Sequence, residues 1–179
     1  MLNSPNGMFS AWITVDGVET PEYHVETSTD NKVVACWIAS ETGKKFSIHW
    51  KNFAYAADAK GDIEIDGTSL SGRFLYGKKL PACATKDGVR EGEMVRPFVF
   101  SSLATTDDDD YLHHSSSEKL GTIELSIYPI EVLPSTGNVK RKRAQALDNI
   151  TVHERSKKAA SVTQQIALVS KIQIDPETR

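Results

Sequence analysis

The stretch GKKFSIHWKN, residues 43–52, indicates the fold class of this chain. Its apolar residues Phe46, Ile48 and Trp50 alternate with polar ones. Strict alternation of apolar and polar residues is typical of a β-strand that buries one face. The stretch therefore predicts a half-buried strand. It also raises the question of whether His49, on the polar face, belongs to a functional site or to a solvated sheet surface.

Short strand patterns recur through the first 133 residues. The apolar run VVACWIA, residues 33–39, predicts a central strand covered on both faces, whereas residues 78–95 and 104–120 have the composition of loops. With turn signals between them, roughly eight strands predict an antiparallel β-sandwich of jelly-roll or Greek-key type. The other predicted strands are residues 9–15, 22–26, 63–65, 73–76, 96–103 and 121–128.

The charge distribution divides the chain into an acidic body and a basic tail. Residues 1–136 carry 12 Lys and Arg against 20 Asp and Glu, a net charge of −8, whereas residues 137–179 carry 9 against 4, a net charge of +5. Proline, serine and glycine within residues 134–137 mark a boundary. We therefore predict a β-sandwich domain over residues 1–135 and a basic tail over residues 136–179, partly disordered or packed on the sandwich.

The tail has a mixed periodicity. Val162, Ile166 and Val169 have helical spacing and favour an amphipathic helix over residues 159–174. The β-branched residues of IALVSKIQI also permit a strand. The helix is the preferred prediction.

Composition limits the class of protein. The chain has no apolar run long enough to span a membrane, and its first residues lack the basic start and apolar core of a secretory signal. Cys36 and Cys83 are too few for a disulfide framework and lack the CxxC spacing of a zinc knuckle. These features predict a reducing, intracellular compartment and no membrane partner.

The sequence contains no recognisable catalytic constellation. The motifs of serine hydrolases, zinc proteases and P-loop enzymes are absent, and His49 has no identifiable nucleophile beside it. Glu22, His24 and Glu26 share one strand face, but metal ligands normally converge from several elements. We therefore predict no catalytic residue, no metal site and no cofactor, and we interpret the face around His49 as a solvated sheet surface.

Two features of the body are candidate contact sites. Asp107, Asp108, Asp109 and Asp110 form an acidic segment that lacks the ligand spacing of a calcium loop. We interpret this segment as a docking patch for a basic partner or as a solvated loop. Trp12 shares the polar face of its predicted strand, where an aromatic ring serves either as a binding platform or as a residue covered by a neighbouring segment.

The tail carries two basic clusters separated by eleven residues. This spacing matches a bipartite nuclear-import signal, in which two acidic grooves of an import receptor each bind one cluster. The alternatives are a solvated tail, a tail folded on the acidic body, and nonspecific contact with nucleic-acid phosphates. The clusters consist of Lys140, Arg141, Lys142 and Arg143, and of Arg155, Lys157 and Lys158.

Several segments, taken in order, resemble a known family over roughly residues 8–160. The family is the β-rich domain of unknown function family 7918, common in mushroom-type fungi. The resemblance implies a fungal source and a single β domain. It implies no catalytic residue, because the family has none assigned. Pro129, which interrupts the last strand, departs from the family pattern. The segments are FSAWITVDG, CWIASETGKKFSIHW, DGTSLSGRFLYG, RPFVF, GTIELSIY and VHERSKKA.

Together these features predict a non-enzymatic interaction module that is nuclear or nucleocytoplasmic. The expected partner is a protein, either a basic, histone-like one at the acidic segment or an import receptor at the tail, and nucleic acid is a less supported partner. The alternative function is a small-ligand or carbohydrate-binding β-sandwich that uses the Trp12 face or the loop at residues 78–95.

The import signal can be tested by changing the first basic cluster. A fluorescent fusion expressed in a fungal cell should accumulate in the nucleus, because both clusters would engage the import receptor. Changing Lys140, Arg141, Lys142 and Arg143 to Ala should abolish this accumulation. Fluorescence microscopy measures the nuclear fraction, and the same cytoplasmic distribution for both proteins would contradict the prediction.

Overall fold

The computed structural model describes residues 1–30, 32–91, 94–110, 119–131, 147, 150–153, 164–168 and 172–173. These residues form many short strands and almost no helix, so the prediction of a mostly β protein is confirmed. The strands are β1 (Leu2–Asn3), β2 (Phe9–Val15), β3 (Val18–Glu19), β4 (Glu22–Thr27), β5 (Val34–Ile38), β6 (Phe46–Asn52), β7 (Ala59–Ile65), β8 (Thr68–Leu75), β9 (Ala82–Lys86), β10 (Gly88–Glu91), β11 (Met94–Ser102), β12 (Ala104–Thr106), β13 (Ile123–Pro129), β14 (Thr151–His153), β15 (Gln164–Leu168) and β16 (Ile172–Gln173).

Most of these strands pair antiparallel in open sheets. The strand order of the first sheet is β1-β2-β6-β9, with β3 also pairing with β2, and the order of the second is β13-β7-β8. A third sheet contains β10, β11 and β15, with β16 also pairing with β11. Strands β4 and β5 form a hairpin of their own, and β12 and β14 pair in parallel. None of the sheets formed by the described residues closes into a barrel.

Strand β6 shows how the sequence pattern directs burial. Phe46, Ile48 and Trp50 are buried, and the residues between them are half-buried. Strands β2 and β9 pair with the two edges of β6. The alternation in residues 43–52 therefore predicts the strand correctly, and its apolar face points into the core.

The buried face of β7 meets that of β6. Ala59, Ile63 and Ile65 on β7 are buried. At the intervening position, Gly61, an added Cβ would lie 2.6 Å from Nε1 of Trp50. The indole ring therefore packs directly on the β7 backbone, and a side chain at position 61 would displace it.

Strand β11 contributes to the same core. The ring centroids of Phe98 and Phe100 lie 5.3 and 4.5 Å from that of Phe46. The Gly43 N–H donates to the Phe100 carbonyl at 2.8 Å, and the Phe100 N–H donates to the Lys44 carbonyl at 3.1 Å. Strand β11 is thus attached to the turn that precedes β6. The buried cluster comprises Phe46, Ile48, Trp50, Ala59, Ile63, Ile65, Leu70, Leu75, Val89, Phe98, Phe100, Leu147 and Ile166.

A buried carboxylate connects distant parts of the chain. Asp66 lies in the β7–β8 turn with a φ of 50° and is buried. Its Oδ1 accepts a hydrogen bond from the Gly121 N–H at 2.6 Å, and its Oδ2 accepts one from the Ile166 N–H at 2.8 Å. Burial raises the pKa of Asp66, although these hydrogen bonds act in the opposite direction. Asp66 thereby anchors β15 beside the turn between β7 and β8.

The helix predicted for residues 159–174 is wrong where this segment is described. Gln164–Leu168 is strand β15, which pairs antiparallel with Phe98–Ser102 of β11, and Ile172–Gln173 is strand β16. The edge of β11 and the Asp66 carboxylate supply partners for the β15 backbone. These tertiary contacts outweigh the weak preference expressed by helical spacing. Parts of the predicted tail therefore pair with strands of the body.

The predictions for residues 33–39 and 78–95 are also wrong, because both depend on how neighbouring strands pair. The run at residues 33–39 is not covered on both faces, because exposed and half-buried residues alternate along β5. The predicted loop at residues 78–95 contains β9 and β10, which pair with β6 and β11 respectively. Their Lys, Gly and Pro content resembles that of a loop, and only the neighbouring strands stabilise their extended conformation.

The role of Asp66 can be tested with Asp66→Asn. An amide has one acceptor oxygen, so its NH₂ group would face one of the two backbone N–H donors. We expect the free energy of unfolding to fall by about 1–3 kcal/mol. Chemical denaturation measures this change, with Asp107→Asn on the exposed acidic segment as the control. Equal unfolding midpoints for the wild type and Asp66→Asn would contradict the prediction.

Candidate functional site

His49 is held on the outward face of β6 by its cross-strand neighbours. Its Nε2 lies 2.9 Å from Thr14 Oγ1 on β2, and its Nδ1 lies 3.0 Å from Thr85 Oγ1 on β9. Burial lowers the pKa of His49, although nearby carboxylates act in the opposite direction. Because hydroxyl groups engage both ring nitrogens, His49 connects three strands, which supports a structural role on this face.

Trp12, the predicted aromatic platform, packs against this histidine. The two rings are nearly parallel, with an interplanar angle of 9° and a centroid distance of 5.2 Å. Trp12 is half-buried, and one face of its indole covers His49. The structure therefore places Trp12 in a cross-strand stack, with only part of its surface open to solvent.

The acidic segment Asp107–Asp110 lies at the surface. The Asp108 N–H donates to Thr106 Oγ1 at 3.2 Å, and the Asp110 N–H donates to Asp108 Oδ1 at 3.0 Å. Asp109 Oδ1 lies 3.6 Å from Nε2 of the buried His153. The parallel pairing of β12 with β14 brings these two residues together. The segment is thus anchored at the end of β12, and its four carboxylates are exposed.

The basic clusters of the predicted import signal lie outside the described residues. The import signal therefore stays a prediction from sequence. The residues concerned are Lys140, Arg141, Lys142, Arg143, Arg155, Lys157 and Lys158.

The β4–β5 hairpin carries an exposed apolar patch. Trp37 is 73% exposed, and its cross-strand partner Tyr23 is 51% exposed. Directly opposite residues of an antiparallel pair project from the same face, so these two aromatic side chains share one face of the hairpin. Val25 and Val33 are also exposed. We refer to Tyr23, Val25, Val33 and Trp37 as the hairpin patch.

A β-bulge shapes this hairpin. Tyr23 pairs with Trp37 and Glu26 with Ala35, so that two residues of β4 lie opposite one residue of β5. His24, inside the bulge, has a φ of 49°. Bulges increase the local twist of a strand pair and redirect side chains. The bulge therefore sets the direction in which the hairpin patch is presented.

The other side of the hairpin contacts the body of the protein. Ile38 packs against the hydrophobic core, and Cys36 is half-buried. Burial raises the pKa of the Cys36 thiol, which disfavours the reactive thiolate. The Met1 ammonium lies 2.9 Å from Glu22 and 3.2 Å from Glu19. These contacts fix the base of the hairpin, where two carboxylates share one ammonium group.

A second exposed aromatic surface lies on the outer face of the sheet β13-β7-β8. Tyr128, Lys60 and Phe74 are register partners in one row across it, and the Tyr76 ring centroid lies 6.3 Å from that of Phe74. Lys60 Nζ lies 2.7 Å from Asp62 Oδ1, and the Tyr128 hydroxyl donates to the Asp62 carboxylate. Burial acts to raise the pKa of Asp62, but these partners together lower it. We refer to Lys60, Asp62, Phe74, Tyr76 and Tyr128 as the aromatic face.

Two shallow cavities flank the end of β13 beside this face. One has a volume of about 230 Å³ and the other about 270 Å³. Both are lined by aromatic and apolar side chains together with a few polar ones. The first is lined by Asn6, Met8, Phe9, Tyr55, Ile127, Tyr128 and Pro129, and the second by Phe74, Tyr76, Ile130 and Glu131.

Sequence reasoning missed both surfaces. Assigning VVACWIA to a central strand concealed the exposure of Trp37. The segment RFLYG, residues 73–77, is predicted only as a short strand. Its aromatic residues Phe74 and Tyr76 are two positions apart and therefore lie on one face of an extended chain, which is a usable signal of an aromatic row. Exposure depends on the neighbouring strands, which alternation alone does not specify.

Comparison with protein families identifies the chain. Residues 9–179 match the profile of the family described as Domain of unknown function (DUF7918). The chain belongs to this family. The resemblance drawn from the sequence segments is confirmed, and the family match continues through the predicted tail. No curated protein and no solved structure matches the chain.

Neither a metal-binding cluster nor a membrane-spanning helix occurs among the described residues. They contain no group of three or more His, Cys, Asp or Glu side chains arranged to hold a metal ion. Helices with the length and apolar character of a membrane span are not found in the described part of the chain.

The environment of His49 predicts a pH dependence of stability. Its folded-state pKa lies below the ordinary value of 6.5, so the unfolded chain binds the proton more tightly. The contribution of His49 is therefore fully present above pH 6.5 and decreases as the pH falls below it. Denaturation between pH 7 and pH 5 should show this loss in the wild type and a smaller loss in His49→Gln. His24→Gln, at an exposed histidine, is the control, and equal pH slopes in all three proteins would contradict the prediction.

Proposed function

We propose that this protein is a non-enzymatic β-sandwich module that binds a basic protein partner through the hairpin patch. The observation that carries the proposal is the exposed pair of Trp37 and Tyr23 on one face of a fixed hairpin. Trp and Tyr are the residues that most often dominate the binding energy of protein interfaces. Large exposed apolar patches on soluble proteins are typically interaction sites.

Charge supports a basic partner. Glu26 lies along β4, Glu19 and Glu22 share the single Met1 ammonium at the base of the hairpin, and residues 1–136 have a net charge of −8. The exposed carboxylates of Asp107–Asp110 add a second acidic contact. Single exposed ion pairs contribute little, so we assign affinity to the aromatic pair, and orientation and association rate to the acidic groups.

The β-sandwich arrangement is supported by the contact between Trp50 and Gly61. This contact brings a buried side chain of β6 against the backbone of β7, and packing of one sheet face on another is the defining feature of a sandwich. A nuclear or nucleocytoplasmic location, with an import receptor as a second partner, is supported by the spacing of the two basic clusters.

The hairpin patch can be tested with core histones as the basic protein. Histones should bind the immobilised full chain in biolayer interferometry. Tyr23→Ala/Trp37→Ala should weaken this binding by at least about tenfold, because both aromatic anchors are lost. The matched control is Val18→Ala, a side chain 71% exposed on β3 outside the patch, and it should bind like the wild type.

The acidic segment has its own readout in the same assay. Changing Asp107, Asp108, Asp109 and Asp110 to Asn should weaken binding mainly at low salt and reduce its salt dependence. The reason is that salt screens the attraction between exposed charges, so these carboxylates contribute to binding chiefly when the salt concentration is low. No histone binding at low salt would rule out the basic partner. If Tyr23→Ala/Trp37→Ala binds histones with wild-type affinity, the hairpin patch is not part of the interface.

A further inference from the structure

The aromatic face is a second exposed surface, separate from the hairpin patch. Phe74 and Tyr76 are each 52% exposed, and Tyr128 is 39% exposed. None of the three belongs to the buried cluster of the core. They lie on a sheet surface beside two hydrogen-bonded polar groups, Lys60 and Asp62. Exposed rings next to fixed polar groups can both stack on a ligand and orient it.

We propose that the aromatic face binds a neutral oligosaccharide. A pyranose ring presents C–H groups on one face and hydroxyl groups around its rim. The C–H face matches an exposed aromatic ring, and the hydroxyl rim matches neighbouring donors and acceptors. Phe74, Tyr76 and Tyr128 supply the rings, while Lys60 and Asp62 supply a donor and an acceptor.

The polar groups of the face are already held in position. Lys60 Nζ donates to Asp62 Oδ2 at 2.8 Å and lies 3.3 Å from the Tyr128 hydroxyl. The side chains of Lys60 and Asp62 nevertheless remain about one-third exposed, at 29% and 34%. They are thus fixed by one another and still accessible to a ligand. Such preorganisation reduces the entropy lost on binding.

The charges around the face favour a neutral ligand. Basic Arg73, Lys60, Lys78 and Lys79 lie on or next to the strands of the face, and so do acidic Asp58, Asp62 and Glu131. These opposite charges nearly cancel. A nucleic-acid strand requires a predominantly positive groove. The Lys60 ammonium lies 5.8 Å from the Tyr128 ring centroid, so this ring already has a cation near its face and is less suited to a quaternary ammonium ligand.

Two small cavities adjoin the aromatic face. Their volumes of about 230 and 270 Å³ lie below the roughly 300–1,000 Å³ of sites for drug-sized ligands. They flank the end of β13 at Tyr128, Pro129 and Ile130. A short oligosaccharide that stacks on Phe74 and Tyr76 would therefore extend into the second cavity, which these two rings line.

The proposal is tested with cellohexaose, laminarihexaose, xylohexaose and chitohexaose on the full chain. Saturation-transfer NMR should show contact between sugar protons and aromatic rings for at least one of them, and isothermal titration calorimetry gives its affinity. Phe74→Ala/Tyr76→Ala should weaken this affinity by about tenfold or more, because two stacking surfaces are lost. Tyr128→Phe, which keeps the ring and removes the hydroxyl, should weaken it less.

Controls separate this site from the hairpin patch and from loss of folding. Tyr23→Ala/Trp37→Ala and Phe53→Ala, at another exposed aromatic, should bind the oligosaccharide like the wild type. The unfolding midpoint of Phe74→Ala/Tyr76→Ala should stay close to that of the wild type, because its target side chains are exposed. If none of the four oligosaccharides gives a binding signal, or if Phe74→Ala/Tyr76→Ala binds with wild-type affinity, the proposal is overturned. Binding of a single-stranded oligonucleotide or a histone peptide to these rings, without binding of any of the oligosaccharides, would also overturn it.

Discussion

The packing of the Trp50 indole on the backbone of Gly61 is the contact on which the architecture depends. It brings the buried face of β6 against that of β7, and an added Cβ at position 61 would lie 2.6 Å from the indole nitrogen. From the other end of β6, Phe46 extends the core to Phe98 and Phe100 of β11. Because the inward faces of these strands are occupied by the core, the accessible surfaces among the described residues lie on outward faces or on the separate hairpin.

The three tryptophans show how position decides the role of one residue type. Trp50 is enclosed in the core, Trp12 stacks on His49 across two strands, and Trp37 stands open on the hairpin. Removing Trp50 would leave a cavity in a close-packed interior. Trp37 makes no comparable contribution to the core, and its exposed ring is the basis of the interface proposed for the hairpin patch.

The two exposed aromatic surfaces differ in their electrostatic setting, and this difference separates their proposed ligands. At the base of the hairpin patch two carboxylates share one ammonium group, and this excess of negative charge favours a basic protein surface. On the aromatic face, Lys60 and Asp62 neutralise one another and project hydrogen-bonding groups beside the rings, which favours an uncharged polar ligand. Both surfaces lie outside the buried cluster, so substitutions there can separate binding from stability.

The sequence by itself determined the position of those strands in which apolar and polar residues alternate. The apolar residues of β6, β7 and β13 alternate with polar ones, and the order of the sequence segments identifies the family. Only the tertiary structure decided that residues 164–168 form a strand paired with β11 and that β9 pairs with β6. It also decided that Trp37 is exposed. The physical reason is that burial and pairing of these segments depend on residues far away in sequence, such as Asp66 for Ile166. Local spacing describes the face of a strand, whereas distant partners decide whether that face is covered.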